Sequence, residues 1–168
     1  MTTIAEMLPS DSIKKLQAMK SAQKSHRGLK RRPKKVIRQG DVYKIKATES
    51  NGITPKNGDR FRWKHFIVIG KLADGTLHCC VAFDSDKNKE YIEPRFETFF
   101  MPIKAGQYPF IVHDSFIDCL TLKKASPSKL LSGVYEGQLI KEDLEEVLKL
   151  VKMNTRHTPA YLNLWGIK

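Results

Sequence analysis

The chain has 168 residues, of which 40% are hydrophobic, and it carries a net charge of +12. This length suits one domain with a real core, and the composition argues against wholesale disorder. No window approaches the roughly 18 apolar residues that span a bilayer, so we expect no membrane partner. The opening MTTIAEMLPSDS lacks the basic and apolar regions of a signal peptide, which favours a cytoplasmic protein.

Neither the cysteines nor the histidines have the spacing of a metal site. Cys79, Cys80 and Cys119 are odd in number and form no Cys-x-x-Cys pair, which favours a reduced cytosol over a disulfide framework. We interpret them as small hydrophobic residues in strands. The five histidines are scattered, and the chain has no phosphate-binding Gly-rich loop, His-Glu-x-x-His or Gly-x-Ser-x-Gly motif. We therefore expect neither a metal nor a cofactor.

The positive charge is concentrated near the N-terminus. Residues 1–40 hold 11 Lys and Arg against two acidic residues, so they carry +9 of the +12. This predicts a basic N-terminal arm, residues 1–39, that is helical or disordered, followed by a folded domain, residues 40–168. Residues 10–25 can form a helix with Ser10 or Asp11 as N-cap. The cations of the arm that we expect to contact phosphate are Arg31, Arg32, Lys34 and Lys35, although such a block is equally typical of a solubilising tail.

The folded domain begins with strand patterns. DVYKIKAT, residues 41–48, alternates apolar and polar side chains and predicts a strand. HFIVIG, residues 65–70, predicts a buried strand, and TLHCCVAF, residues 76–83, predicts its antiparallel partner. Asp74 and Gly75 turn the chain between them, so the two strands form a hairpin.

The second half of the domain mixes short strands with helices. We expect a short strand near residues 98–101, one or two strands within residues 110–123, and a turn of helix at 128–131 after the N-cap Ser126. LIKEDLEEVLKLVKM, residues 139–153, has the apolar spacing of an amphipathic helix. Leu162, Leu164, Trp165 and Ile167 predict a last strand or a clasp over the core. Together these elements predict a mainly β fold with α-helix, either a small, strongly bent antiparallel barrel or a sheet, with a helix packed on it.

Polar side chains cluster at the ends of the two strands of the predicted hairpin. Arg60, Arg62, Lys64 and His65 precede the core of the first strand, and the segment from Asp84 through Lys87 and Asn88 follows the second. A hairpin sets the start of its first strand beside the end of its second, so we expect these groups to meet at one end of the sheet. The alternative is a solvated strand end beside an ordinary turn. Phe61, Trp63 and Tyr43 are candidates for stacking on unpaired bases, or else core residues.

The order of several short motifs resembles the PemK/MazF toxin family. These are GDVYKI at 40–45, RWKHFIVIG at 62–70, VAFDS at 81–85, SFIDCLTL at 115–122 and GQLIKEDLEEVLKLV at 137–151. Members of that family are sequence-selective endoribonucleases built on a small β-barrel. The resemblance implies a closed barrel and a toxin-like, metal-independent endoribonuclease that acts on single-stranded RNA. It also implies a homodimer and a cognate antitoxin whose acidic segment covers the basic site.

The resemblance assigns roles to particular residues. Lys64 and His65 stand where the family has Arg-Pro, so Lys64 would steady the phosphate while Arg62 supplies a bidentate fork. Ser85 falls in a Thr position of the family and would position the phosphate or ribose. His65 or His113 would move a proton. Independently of the resemblance, the clustering at the strand ends makes Arg60, Trp63, Lys87 and Asn88, together with the basic arm, candidates for binding RNA, with DNA as the alternative.

Two features favour an alternative function, that of a non-catalytic module that binds nucleic acid or protein. The first is the replacement of Arg-Pro by Lys64-His65. The second is the C-terminal Trp165-Gly166-Ile167, which resembles the end of the CcdB toxins, relatives of the same fold that bind DNA gyrase without cleaving anything. The tripeptide has a structural interpretation as well, as part of the clasp over the core.

Overall fold

A computed structural model describes residues 36–85 and 92–168 of the protein. The helix predicted at residues 10–25, the four arm cations (Arg31, Arg32, Lys34 and Lys35), and Lys87 and Asn88 lie outside these ranges.

Six antiparallel strands form one sheet. They are β1 (Asp41–Ala47), β2 (Arg62–Lys71), β3 (His78–Asp84), β4 (Phe100–Ile103), β5 (Ser115–Ala125) and β6 (Val134–Gln138). Their order across the sheet is β4-β5-β3-β2-β1-β6. Within the described residues no ladder joins the edge strands β4 and β6, so the sheet is not closed into a barrel and only the mainly β, antiparallel part of the expected fold is confirmed.

The central strand β2 pairs with β1 on one side and β3 on the other. Val42 lies opposite Ile67, and Phe66 lies opposite Ala82. Because alternate residues of a strand point to opposite faces, each strand contributes to two apolar clusters. The larger cluster includes Val42 and Ile67 and is covered by helical side chains, whereas the smaller one includes Phe66 and Ala82.

Three α-helices and two 3₁₀ helices complete the described chain. The α-helices are α1 (Pro127–Leu131), α2 (Lys141–Met153) and α3 (Pro159–Leu164), and the 3₁₀ helices are Glu49–Asn51 and Pro94–Phe99. The predicted N-cap is confirmed, since Ser126 Oγ accepts a hydrogen bond of 3.2 Å from the Lys129 amide. The predicted amphipathic helix is also confirmed, and it buries Val147, Leu150 and Val151 against the larger cluster.

Strand β6 and helix α3 are not predicted by the sequence patterns. The segment VYEGQ of β6 holds only two large apolar residues and includes Gly137 at φ +123°, so it carries little strand signal. It is held by backbone pairing with β1, which no local pattern reveals. Helix α3 is six residues long and begins with Pro159 after the N-cap Thr158, whose side chain accepts a hydrogen bond from the Tyr161 amide. A last strand or a clasp over the core was expected from Leu162, Leu164, Trp165 and Ile167. The prediction of a strand is wrong, because residues 159–164 are helical.

The C-terminal tripeptide packs into the body of the protein. Trp165 and Ile167 are 4% and 3% exposed. The Lys71 amide donates a 2.9 Å hydrogen bond to the Trp165 carbonyl, and a Cβ at Gly70 would lie 2.4 Å from that oxygen. Glycine at 70 therefore permits the close approach of the two backbones. Both large side chains of the tripeptide are thus used for packing, as the structural interpretation predicts.

The three cysteines are free and buried in strands, as expected of small hydrophobic residues. Burial raises the pKa of Cys79 and of Cys119 to about 12, so neither thiol is a reactive nucleophile near neutral pH.

Replacement of Trp165 by alanine tests the packing role. Trp165→Ala should lower the free energy of unfolding by ~3–5 kcal/mol, the usual cost of truncating a buried aromatic ring. The matched control is Leu164→Ala, because Leu164 precedes it and is 61% exposed; it should change stability by less than about 0.5 kcal/mol. Urea denaturation of both variants measures the difference, and equal midpoints would show that the ring does not anchor the C-terminus.

Candidate functional site

The start of β2, the end of β3 and the loop before β5 enclose a cavity of about 210 Å³. The antiparallel pairing of β2 with β3 brings the first two segments together, as the sequence predicts. The five residues proposed from the sequence for catalysis all line this cavity, namely Arg62, Lys64, His65, Ser85 and His113. We refer to it as the strand-end cavity.

Lys64 is not the solvated cation that its position at a strand end predicts. Its side chain is only 9% exposed, and its Nζ forms an ion pair with Oδ1 of Asp84, a residue whose side chain is 30% exposed. Burial makes the pair mutually dependent, because removing one charge leaves the other without compensation. Lys64 is therefore committed to Asp84, and its charge is largely neutralised at the cavity wall.

Arg62 differs from Lys64 in having no acidic partner in the described part of the chain. Its side chain is half-buried. Its guanidinium offers a planar fork that suits two phosphate oxygens. Ser85 and His113 are exposed, and they add a hydroxyl and an imidazole to the lining of the same cavity.

His65 is held in a defined environment. Its ring stacks on Phe110, with centroids 5.1 Å apart and planes inclined by 27°, and its Nε2 lies 3.7 Å from Oε1 of Glu136. Burial lowers the pKa of His65 from its ordinary value of 6.5, while Glu136 opposes that shift and the charge of Lys44 adds to it. The imidazole is therefore largely neutral at neutral pH and able to accept a proton.

Aromatic rings and lysines extend from the strand-end cavity across β1 and β2. In the ladder, Lys46 lies opposite Trp63, and Lys44 lies opposite His65. Lys46 Nζ is 4.8 Å from the ring centroid of Phe61 and 5.5 Å from that of Trp63. Trp63 is 48% exposed and Phe61 is 37% exposed. We call Lys44, Lys46, Phe61 and Trp63 the aromatic–lysine surface.

Two residues named from the sequence as candidates for binding lie outside the strand-end cavity. Tyr43 is 1% exposed, so its proposed role in base stacking is wrong and it is a core residue. Because successive side chains of β1 point to opposite faces of the sheet, Tyr43 and Lys44 lie on opposite faces. Arg60 is exposed but does not line the strand-end cavity.

Four residues of this region were not predicted from the sequence, namely Glu136, Phe110, Lys44 and Lys46. The lysines alternate with apolar residues in DVYKIKAT, so the strand pattern itself could have placed them on the same face. Glu136 lies on the unpredicted strand β6, and Phe110 lies in a loop, so both reach His65 only through tertiary structure.

Comparisons with known proteins do not assign the site: no protein-family model and no curated protein matches this chain. Among the described residues, no group of three or more His, Cys, Asp or Glu side chains is arranged to hold a metal ion. None of the helices that the structure describes is long and apolar enough to cross a membrane.

Removal of the acidic partner tests the buried pair. Asp84→Asn should lower the free energy of unfolding by about 1–3 kcal/mol, less than the 3–5 typical of a fully buried pair, because Asp84 still reaches water. The control is Glu145→Gln, which breaks the exposed pair with Lys141 and should cost less than about 0.5 kcal/mol. Chemical denaturation compares the two variants. An equal loss of unfolding free energy would show that Lys64 behaves as a solvated cation.

Proposed function

We propose that the protein is a metal-independent endoribonuclease that cleaves single-stranded RNA at the strand-end cavity. The observation that carries the proposal is the convergence on one cavity of an arginine without an acidic partner among the described residues, a neutral histidine, a serine and a second histidine. The neighbouring aromatic–lysine surface supports RNA as the substrate, since single-stranded RNA is bound by stacking bases on aromatic rings beside cations.

The chemistry needs no group beyond these side chains. Neutral His65 accepts the proton of the ribose 2′-hydroxyl, whose oxygen then forms a bond to the adjacent phosphorus. The bond from phosphorus to the 5′ oxygen breaks, and His113 supplies a proton to that leaving oxygen. The products are a 2′,3′-cyclic phosphate and a 5′-hydroxyl. Arg62 stabilises the charge on the phosphate oxygens, and Ser85 orients the phosphate or ribose.

The proposal also includes a toxin–antitoxin system. Motif order and site chemistry support a PemK/MazF-like architecture, in which the six-stranded sheet corresponds to the family barrel and the active protein is a homodimer. A net charge of +12 suits both RNA and an acidic antitoxin segment that competes with RNA for the cavity.

The second candidate function is RNA binding without cleavage. The ion pair between Lys64 and Asp84 favours it, because the residue in the arginine position of the family motif is already neutralised. In that case the aromatic–lysine surface holds RNA and the cavity has no catalytic part. The two candidates share the binding surface and differ in whether phosphate bonds break.

Incubation of the purified protein with a long single-stranded RNA in EDTA separates the candidates. Discrete fragments with 2′,3′-cyclic phosphate ends support the nuclease, and intact RNA that is shifted on a native gel supports the binder.

Arg62→Ala should reduce the cleavage rate by about 10²-fold or more, as expected for loss of a group that stabilises transition-state charge. Arg60→Ala is the matched control and should cleave within about 3-fold of the parent protein, since Arg60 lies outside the cavity. Equal rates for the two variants would contradict the role of Arg62.

The pH dependence of cleavage tests His65 as the base. A base must be neutral, and burial holds the pKa of His65 below 6.5, so kcat/KM should rise with pH through a midpoint below that value. Glu136 raises the pKa of His65 against the effect of burial, so Glu136→Gln should shift the acidic limb to still lower pH. Glu145→Gln, on the exposed surface of α2, should leave the profile unchanged. A limb that stays in place or moves to higher pH in Glu136→Gln would exclude His65 as the base.

A further inference from the structure

A short loop contributes Phe110 and His113 to the lining of the strand-end cavity. The loop comprises residues 104–114 and connects β4 to β5. Its two ends are joined, because the Ala105 amide donates a 2.9 Å hydrogen bond to Oδ1 of Asp114. We call residues 104–114 the cavity loop. The position of this loop determines where two of the cavity's side chains lie.

The hydroxyl of Tyr108 attaches the cavity loop to the first turn of α2. The N-cap of α2 is Ile140, whose side chain cannot accept a hydrogen bond. Its backbone amide donates to Tyr108 Oη at 3.1 Å, and that hydroxyl donates to Oδ2 of Asp143. Asp143 is the third residue of the helix, a position from which a Glu or Gln side chain often reaches the N-cap amide directly. Here Tyr108 bridges the two groups, so one side chain both caps the helix and anchors the loop.

Tyr108 is suited to this bridge because its hydroxyl stays protonated. The residue is 6% exposed, and burial, together with the hydrogen bond to Asp143, raises its pKa above the ordinary value of 10. A phenol donates one hydrogen bond and accepts another at the same time, which neither a phenylalanine nor a phenolate can do. The side chain therefore satisfies the amide of Ile140 and the carboxylate of Asp143 together.

A stack of three rings continues from this anchor to His65. The ring of Tyr108 stacks on that of Phe110, with centroids 5.6 Å apart and planes inclined by 27°. The ring of Phe110 in turn stacks on the imidazole of His65 at 5.1 Å, and Phe83 meets Phe110 edge-on at 5.5 Å. The side chain of His65 is 22% exposed. Water is thus kept from the imidazole in part by Phe110, a residue of the cavity loop rather than of β2.

We propose that Tyr108 is a positioning residue of the strand-end cavity, which fastens the cavity loop to α2 and so keeps Phe110 stacked on His65. The inference rests on the proposed function, because His65 is the residue assigned there as the base. The effect of Tyr108 on His65 is measurable whether or not RNA is cleaved.

The charged groups that act on His65 all lie outside the cavity loop. They are Glu136 on β6, Lys44 on β1 and Lys64 on β2. Glu136 raises the pKa of His65, whereas the two lysines lower it, and burial is the largest influence. Loosening of the loop should therefore change the solvation of the imidazole and leave these three charges in place.

NMR titration of His65 in the full-length protein tests the proposal without reference to cleavage; the signal is assigned by its absence in His65→Gln. Tyr108→Phe removes the hydroxyl and keeps the ring. Because burial lowers the pKa of His65, loosening of the loop should raise that pKa toward its ordinary value of 6.5. Tyr161→Phe is the matched control, since it removes a hydroxyl from a half-buried tyrosine that lies against Trp165, outside the cavity. Equal pKa values of His65 in the two variants would overturn the proposal.

Substitutions of Asp143 test whether the anchor is a hydrogen bond. Asp143→Ala removes the acceptor of the Tyr108 hydroxyl and should raise the pKa of His65 as Tyr108→Phe does. Asp143→Asn keeps an acceptor oxygen in the side chain and should leave that pKa closer to its value in the parent protein. Equal pKa values of His65 in the two Asp143 variants would contradict a hydrogen-bonded anchor.

Cleavage of single-stranded RNA then links the anchor to the proposed reaction. The acidic limb of kcat/KM should move to higher pH in Tyr108→Phe, opposite in direction to the shift expected for Glu136→Gln. Well below the midpoint, a pKa rise of about half a unit corresponds to a loss of about 3-fold in rate. A pKa of His65 that rises without a matching movement of the limb would contradict His65 as the base and still support the positioning role of Tyr108. An absence of cleavage by the parent protein would refute the proposed function alone, since the titration of His65 decides the role of Tyr108 by itself.

Discussion

The antiparallel register between β2 and β3 is the constraint on which the strand-end cavity depends. With Phe66 opposite Ala82, the start of β2 meets the end of β3 at one side of the sheet, and the end of β2 meets the start of β3 at the other. A slip of one residue would move every side chain of β2 to the opposite face. His65 would then leave its position against Phe110, and Lys64 would leave the reach of Asp84. The register is fixed by burial, because both faces of β2 contribute fully buried side chains to the two apolar clusters.

The same register separates two cations that look equivalent in the sequence. Arg62 and Lys64 are two residues apart on one strand and therefore lie on the same face. Lys64 lies deeper in the sheet and is neutralised by Asp84, whereas Arg62, nearer the strand end, has no acidic partner among the described residues. The chemistry of the two side chains accounts for this difference between Lys64 and Arg62. Lysine is a compact charge suited to one buried carboxylate, while arginine presents several donors to a phosphate. The family motif, which has its arginine in the position of Lys64, is thus consistent with a displaced phosphate-binding role at Arg62 in the proposed nuclease.

The sequence predicted the hairpin and the position of the strand-end cavity because both follow from local patterns. Apolar runs separated by Asp74-Gly75 define two strands, and antiparallel geometry then places Arg62 and Ser85 together. What the sequence did not predict depends on long-range contacts. The burial of Lys64 requires Asp84 from another strand, and the orientation of His65 requires Glu136, which lies 71 positions away on a strand held mainly by backbone pairing. Closure into a barrel was expected from the family resemblance and is not confirmed. Closure depends on whether the two edge strands pair with each other, and the residue pattern of a single strand does not indicate this.

One face of the sheet changes character along its length. Near the hairpin end of β2, Ile67 and its neighbour Val42 in β1 are covered by the helices. Further along the same face the corresponding positions are His65 and Lys44, and then Trp63 and Lys46. The alternation thus continues without a break while the side chains change from aliphatic to aromatic and cationic. The exposed aromatic–lysine surface is therefore a continuation of the core-facing side of the sheet. Its backbone is held by the same ladder that buries the aliphatic end, so in the proposed RNA complex the rings would be presented on an ordered pair of strands, which limits the conformational entropy lost on binding.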